Sequence, residues 1–413
     1  MITVLSTILI FIAVILLLTI MIITAEKKLV NTGDVQIVIN DDEDDPMETP
    51  AGGTLLDTLK SNGILLPSAC GGQGTCGVCR CKVHEGGGDI LATEKNHISR
   101  REARQGERLA CQVKVKQDMR IEVPDEVFKI DEWECEVIKN DFVATYIKEF
   151  VVRLPKGENL DFKPGGYVQI KIPRYEIDFR RDMEVPKEYR DEWDEFGLFD
   201  LHHKNTMEIE KAYSMANHPA EGNIVMLNVR IATPPWDRKK NTFQKVPPGV
   251  ASTYIFSLKP GDRVNISGPY GEFFIQDTDR EMVYIGGGAG MAPLRSHIFH
   301  LFHTLKTGRR VSYWYGARSK REIFYEKEFR DIEKKFKNFS FHVALSDPLP
   351  EDKWKGPVGF IHQVVYDEYL KHHPEPEEIE YYLCGPGVMT DAVDEMLYNL
   401  GVEQEMIRYD KFN

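Results

Sequence analysis

Four cysteines fall within twelve residues of this chain, at 70, 76, 79 and 81, inside the glycine-rich run Ser68-Ala-Cys-Gly-Gly-Gln-Gly-Thr-Cys-Gly-Val-Cys79 and just after it. Glycine at this density opposes a helix or a buried strand, so the segment predicts a loop wound around something the sulfurs hold. There are seven cysteines in all, an odd number, with Cys111, Cys135 and Cys384 standing apart. That distribution is unlike a disulfide framework and suits metal binding in a reducing compartment. Cys70, Cys76 and Cys79 give C-x5-C-x2-C, and Cys111 follows in Leu109-Ala-Cys-Gln112. Four thiolates are what a [2Fe-2S] cluster requires. Gly71, Gly72, Gly74 and Gly77 let the loop wrap tightly and aim backbone N–H groups at sulfur. The spacing has one residue more between the first two cysteines than the C-x4-C-x2-C pattern of another [2Fe-2S] loop. A structural zinc is the alternative, although zinc sites usually pair two short knuckles. Cys81 reads as a strand residue leaving the loop, and Cys135 as a small buried hydrophobe.

Residues 1–25 carry no charged side chain and are long enough to cross a hydrocarbon core of about 30 Å as one transmembrane helix. A cleaved signal peptide is the competing reading, but the basic amino-terminal region it needs is missing. Lys27 and Lys28 follow directly, which puts the bulk of the chain in the cytoplasm by the positive-inside tendency. The net charge of -13 and the acidic run Asp41 to Asp45 argue against a nucleic-acid partner.

Beyond the anchor the pattern changes twice. Residues 34–127 read as a small α+β domain around the cysteine loop, with Thr54 capping a short helix, and that domain resembles the β-grasp ferredoxins. From 131 to 276, short alternating runs such as Tyr167 to Ile172 and Ile224 to Ile231 predict an antiparallel β-barrel, interrupted at 174–205 by a charged, aromatic insertion. From 277 to 413, buried strands alternate with helices, which predicts an α/β domain with a parallel sheet.

The barrel region contains Lys211-Ala-Tyr-Ser214, then Leu227-Asn-Val-Arg230, then Gly249-Val-Ala-Ser-Thr253. In the α/β region Gly286-Gly-Gly-Ala-Gly290 links a strand to a helix, with Pro293 suited to the first turn. Such a turn cradles a pyrophosphate, though Met291 stands where G-x-G-x-x-G has its last glycine. A second strand ends in Cys384-Gly385-Pro386, where the bland reading of Cys384 is a buried thiol. His297, His300 and His303 tempt a metal reading, but at about 100° per residue they fan too widely over a helix to ligate one ion.

The order of these motifs resembles the ferredoxin–NADP reductase superfamily, and the whole chain closely resembles the family of F subunits of the bacterial Na⁺-translocating NADH:quinone reductases. The second likeness also rests on Asn228-Val-Arg-Ile-Ala-Thr-Pro-Pro235, Gly268-Pro-Tyr-Gly-Glu-Phe-Phe274 and Tyr315-Gly-Ala-Arg-Ser-Lys-Arg-Glu322. The resemblance implies NADH as donor, a noncovalent FAD, and one [2Fe-2S] cluster held by Cys70, Cys76, Cys79 and Cys111. Tyr213 would stack on the flavin, and Ser214 would lie near its N5. Lys211, Asn228 and Arg230 would join the FAD site, and Gly249, Val250, Ala251, Ser252 and Thr253 would give backbone and hydroxyl donors to its pyrophosphate. Gly286, Gly287, Gly288, Ala289, Gly290 and Pro293 would take the nicotinamide dinucleotide, with Cys384, Gly385 and Pro386 beside the nicotinamide and Phe412 shielding the flavin. Lys211 departs from the family's arginine and cannot contact phosphate in a planar, bidentate way.

The resemblance further implies partner subunits of a respiratory complex in the bacterial inner membrane, reached by one transmembrane pass, with quinone reduced by those partners. Two other readings use the same modules: the reductase component of a bacterial oxygenase, and an electron carrier whose flavin module has decayed. Arg318, Lys320 and Arg321 follow the second strand of the α/β domain, where basic residues can favour NADPH.

Overall fold

The computed structural model describes residues 10–21, 33–237 and 239–411. Of the expected anchor it covers residues 10–21, a helix (α1) with exposed side chains; the remainder, and Phe412, lie outside the described residues. Among those described, no helix is long and apolar enough to cross a membrane. The chain divides into two units, Met1–Ile130 and Asp131–Asn413.

The first unit is a five-stranded sheet in the order β2-β1-β5-β3-β4. Its strands are β1 (Asp34–Ile39), β2 (Met47–Pro50), β3 (Arg80–Glu85), β4 (Glu107–Leu109) and β5 (Met119–Glu122). Only β1 and β5 run parallel. This is the β-grasp arrangement, and α2 (Leu55–Ser61) lays Leu55, Leu56 and Leu59 into the core. Thr54 caps that helix by accepting from the Asp57 N–H at 3.1 Å. A second helix, α3 (Arg100–Arg104), opens on a capping box between Ser99 and Glu102. Beneath the loop that precedes it, the buried Arg108–Glu94 pair, at 2.8 Å, also satisfies three backbone carbonyls, so the charges are compensated.

The second unit opens with an antiparallel barrel of order β11-β8-β15-β6-β7-β12. Its strands are β6 (Asp131–Ala144), β7 (Ile147–Arg153), β8 (Tyr167–Ile172), β11 (Ile209–Ser214), β12 (Ile224–Arg230) and β15 (Arg263–Tyr270). A bridge between Met215 and Leu227 joins the two outer strands and closes the ring. Inward residues such as Val137, Phe150, Val168, Ile170, Leu227 and Ile266 form one core. Residues 174–205 are ordered: β9 (Tyr175–Asp178) pairs with β10 (His202–Asn205), and α4 (Phe179–Asp182) and α5 (Arg190–Glu195) lie between them. Trp193 of α5 is fully buried in the barrel core and donates to the Thr145 carbonyl at 2.9 Å. A short ladder, β13 (Trp236–Asp237) with β14 (Thr242–Phe243), precedes α6 (Val250–Ser257).

The rest is an all-parallel sheet, β18-β17-β16-β19-β20. The strands are β16 (Met282–Gly287), β17 (Val311–Ala317), β18 (Phe339–Leu345), β19 (Glu380–Gly385) and β20 (Ile407–Lys411). The faces are covered by α7 (Met291–Phe299) and α8 (Glu326–Lys335) on one side, α9 (Ile361–Glu368) and α10 (Gly387–Asn399) on the other. Both faces being covered, the strands read as near-continuous apolar runs. In such a doubly wound sheet, ligands bind beyond the carboxyl ends of the strands.

Candidate redox sites

In the first unit, Gly71, Gly72, Gly74 and Gly77 all adopt left-handed backbone, with φ between 69° and 83°. No other residue type takes this conformation repeatedly without strain, and the result is a loop that folds back on its own sulfurs. Backbone N–H groups of Thr75 and Cys76 reach the Cys70 sulfur, that of Val78 reaches Cys76, and that of Gly74 reaches Cys111. Cys111 also accepts from the Gln112 amide at 3.4 Å.

The four thiols associate two by two. Cys70 accepts a hydrogen bond from Cys76, which lowers its pKa and pushes Cys76 up. Cys111 likewise accepts from Cys79, which lowers Cys111 and pushes Cys79 up. Among the described residues, no three His, Cys, Asp or Glu side chains are arranged to hold one metal ion. Two pairs of thiols are the donor set that a cluster of two irons takes, two thiolates to each iron. Cys70, Cys79 and Cys111 are buried, and Cys76 is the most accessible of the four. Cys81 lies on β3 and Cys135 on β6, both buried outside this group.

In the second unit, Tyr213 and Ser214 end β11 at the barrel's rim, opposite Val168 and Tyr167 of β8. Lys211 stands two residues earlier on the same strand, half-buried. Gly249 begins α6 in close contact with the chain after β12: a Cβ on it would sit 2.6 Å from that of Ala232. The Gly249 N–H donates to the Ala232 carbonyl at 2.7 Å. The Ser252 hydroxyl accepts from the Ala232 N–H at 3.0 Å and donates to the Gly249 carbonyl at 3.3 Å. Ser252 therefore ties the turn together, and Thr253 is fully buried. The Thr253 hydroxyl, by contrast, has no hydrogen-bond partner among the described residues, as a donor kept for a bound phosphate would. Beside it stand the first-turn backbone N–H groups of Val250 and Ala251, at the positive end of the helix dipole. Asn228 donates its Nδ2 to the Tyr325 hydroxyl at 2.8 Å and leaves its buried Oδ1 without a partner among the described residues, while Arg230 is exposed at the strand end.

The glycine turn and the Cys-Gly-Pro strand end are in direct contact. Gly286 is the register partner of Cys384. A Cβ on Gly290 would meet the Cys384 carbonyl oxygen at 2.1 Å. Gly288 turns the chain with φ +57°, and Pro293 lies in the first turn of α7. The two motifs thus form one cradle, with Met389 of α10 packed against Gly287 and Gly385. His297 is fully buried, and its Nε2 donates to the carbonyls of Phe273 (3.0 Å) and Pro164 (3.2 Å). Burial lowers its pKa to about 4, so it is a neutral structural residue. His300 and His303 fall in a π-helical turn, His300–Thr304, which rotates them toward His218 and off the even fan expected of an α-helix.

One residue at this junction belongs to none of the sequence motifs. The Ser214 hydroxyl donates to Asp410 Oδ2 at 2.5 Å, and Asp410 of β20 is the register partner of Cys384. Ser214, Asp410 and Cys384 therefore converge from the barrel and from two strands of the parallel sheet. The alternation in Ile407-Arg-Tyr-Asp-Lys411 is the sequence signal available for that strand. Burial raises the Asp410 carboxyl to about 6, against a partial pull downward from Ser214. The folded protein holds this proton to higher pH than the unfolded chain does. Its contribution is thus fully stabilising below the ordinary value of 3.8 and is lost as pH rises through 6. We expect Asp410→Asn to gain about 1–3 kcal/mol over the parent at pH 8 and nothing at pH 4, read by denaturant unfolding. The same variant should lose any inflection near pH 6 in the rate of flavin reduction.

Family models match three stretches: a 2Fe-2S iron-sulfur cluster binding domain over residues 38–116, an oxidoreductase FAD-binding domain over 134–275, and an oxidoreductase NAD-binding domain over 284–395. The F subunits of the Na⁺-translocating NADH-quinone reductases of Klebsiella pneumoniae and of Idiomarina loihiensis are each 56% identical to this chain over 402 residues, 97% of both partners. The chain belongs to that family. By the three matched domains, the cofactors of this chain are a [2Fe-2S] cluster, FAD and a nicotinamide dinucleotide. Among solved structures, a ferredoxin reductase of carbazole 1,9a-dioxygenase aligns with TM-score 0.60 and 26% identity, over 92% of this chain and 98% of the other. The Amycolatopsis cytochrome P450 reductase GcoB aligns with TM-score 0.62 over the same shares, at 23% identity, and shares the fold.

Proposed function

We propose that this chain is the electron-input subunit of a Na⁺-pumping respiratory NADH:quinone reductase. The observation that carries the reading is the 56% identity to F-subunit relatives across nearly the whole chain, in a protein that keeps both the four-thiol loop and the nucleotide cradle. When bound, FAD takes a hydride from NADH and releases electrons singly, and the [2Fe-2S] cluster takes them one at a time.

The chain's own residues do the rest. Tyr213 offers a ring to the flavin, and the α6 amino terminus offers N–H donors to its pyrophosphate. The glycine turn admits the dinucleotide, and Cys384 with Gly385 and Pro386 keeps the nicotinamide position dry and close to Ser214. Ser214 and Asp410 hold one shared proton at that position. Phe412 is assigned to cover the flavin. Cys70, Cys76, Cys79 and Cys111 hold the cluster, with Cys76 nearest solvent. The working division is an anchor at 1–25, a ferredoxin domain at 34–127, an FAD domain at 131–276 and an NADH domain at 277–413. Residues 1–25 make a single pass through the bacterial inner membrane, the globular domains lie in the cytoplasm, and partner subunits pass the electrons to quinone. A lone helix offers no ion path, so sodium moves through those partners.

The test is an anaerobic titration of the full-length protein with NADH, followed by visible absorption and electron paramagnetic resonance. Bleaching of the flavin band together with a reduced-cluster resonance is expected. Absence of bleaching would defeat the reading. A reductase that serves an oxygenase is the second reading, favoured by the fold shared with the carbazole dioxygenase reductase. NADH-dependent quinone reduction by membranes that carry the protein separates the two.

A further inference from the structure

The insertion at 174–205 has no part in the function just described, yet it meets the nucleotide domain at a chemically pointed place. In doubly wound sheets the end of the second strand reads the ribose 2′ position, where a carboxylate suits the hydroxyl of NADH and an arginine suits the phosphate of NADPH. Here that strand is β17, whose Gly316 is the register partner of Gly287 in the glycine turn. Arg318 and Arg321 follow at once, and by sequence they favour the phosphate.

Neither arginine is waiting for one. Arg321 donates to both carboxylate oxygens of Asp191, at 2.9 and 3.0 Å, and also to Glu192. Arg318 donates to the same Glu192 oxygen. The other oxygen of Glu192 accepts from the Tyr146 hydroxyl at 2.9 Å, and its side chain is only 10% exposed. Glu322 adds a further carboxylate, 3.7 Å from Arg318. Glu192 stays below the usual carboxylate range although burial opposes it, because Arg318, Tyr146 and Arg321 bond to it.

We propose that Asp191 and Glu192, carried by the barrel's insertion, make this chain select NADH over NADPH by occupying the two arginines that would otherwise bind a 2′-phosphate. A doubly charged phosphate would have to displace them and then face the carboxylates it displaced. The selector thus lies outside the nucleotide domain. The inference rests on the reading of the chain as a nicotinamide-dependent reductase.

The experiment uses full-length, flavin-loaded protein and measures kcat/KM for NADH and for NADPH with ferricyanide as acceptor. Asp191→Asn combined with Glu192→Gln should narrow the NADH:NADPH ratio by about tenfold or more, through a lower KM for NADPH. 2′-Phospho-AMP should then compete better than AMP, and adding Arg321→Ala should restore the parental ratio. Asp191 is largely exposed, so Asp191→Asn alone covers a double variant that does not fold, with an expected narrowing of about threefold. An unchanged ratio in either variant, with flavin content and NADH turnover intact, overturns the selector and leaves the proposed function standing. Parent protein whose flavin neither nucleotide reduces overturns both.

Discussion

Cys79→Ser should yield a protein whose flavin NADH still bleaches but which binds no iron above background and shows no reduced-cluster resonance. Cys79 is 1% exposed and forms a pair with Cys111 in the interior of the loop. A serine hydroxyl there is neither ionised at neutral pH nor soft enough to hold iron as a thiolate does. Electron delivery to quinone in membranes should fall by at least about 100-fold, since loss of a ligand exceeds the loss of a supporting contact. Flavin reduction should persist because the nucleotide cradle belongs to the other unit of the chain. The matched control is Cys81→Ala. That thiol is also buried, two residues further on, but is outside the two pairs, and its variant should keep its iron. Iron loss from Cys81→Ala with iron retained by Cys79→Ser would refute the ligand assignment.

Gly290→Ala should damage NADH use without touching the cluster. The added Cβ would lie 2.1 Å from the Cys384 carbonyl oxygen, 2.4 Å from its carbon and 2.7 Å from the Gly385 nitrogen. All three are backbone atoms held in the β16–β19 ladder, so no side chain can swing aside. The glycine turn and the strand end must separate, at a cost of about 1–3 kcal/mol in stability. Displacement at the reacting position should lower kcat/KM for NADH by about 100-fold. Gly387, at the start of α10, has open space where a Cβ would go, so Gly387→Ala should fall within about 0.5 kcal/mol of the parent. Wild-type turnover in Gly290→Ala would show that the cradle does not govern nicotinamide placement.

Local patterns carried far into both the fold and the sites. The Thr54 cap, the Tyr167–Ile172 strand and the Phe339–Leu345 strand are written in short runs whose periodicity and punctuation agree with their environment. The cysteine loop is legible because left-handed glycines and sulfur ligands leave little freedom. What sequence could not convey is who meets whom. Arg318 and Arg321 read as free bases, whereas their partners arrive from a segment about 130 residues earlier. The bonds by which Ser252 ties its turn to Ala232 likewise have no local signature. β20 has only five residues and one clear alternation, so its contribution of Asp410 to Ser214 needed the three-dimensional arrangement.

The strand order of the parallel sheet also bears on how the protein is made. β16 lies at the middle of that sheet, with β17 on one side and β19 on the other, yet about 90 residues separate the end of β16 from the start of β19. At ribosomal speeds of roughly 5–20 residues per second, one edge of this fully buried strand stays unpaired for about 5–20 s during synthesis. Unpaired apolar edges recruit one another. The nascent chain is therefore most vulnerable to aggregation between these two strands, and chaperone dependence in cells should track the pace of translation across that interval.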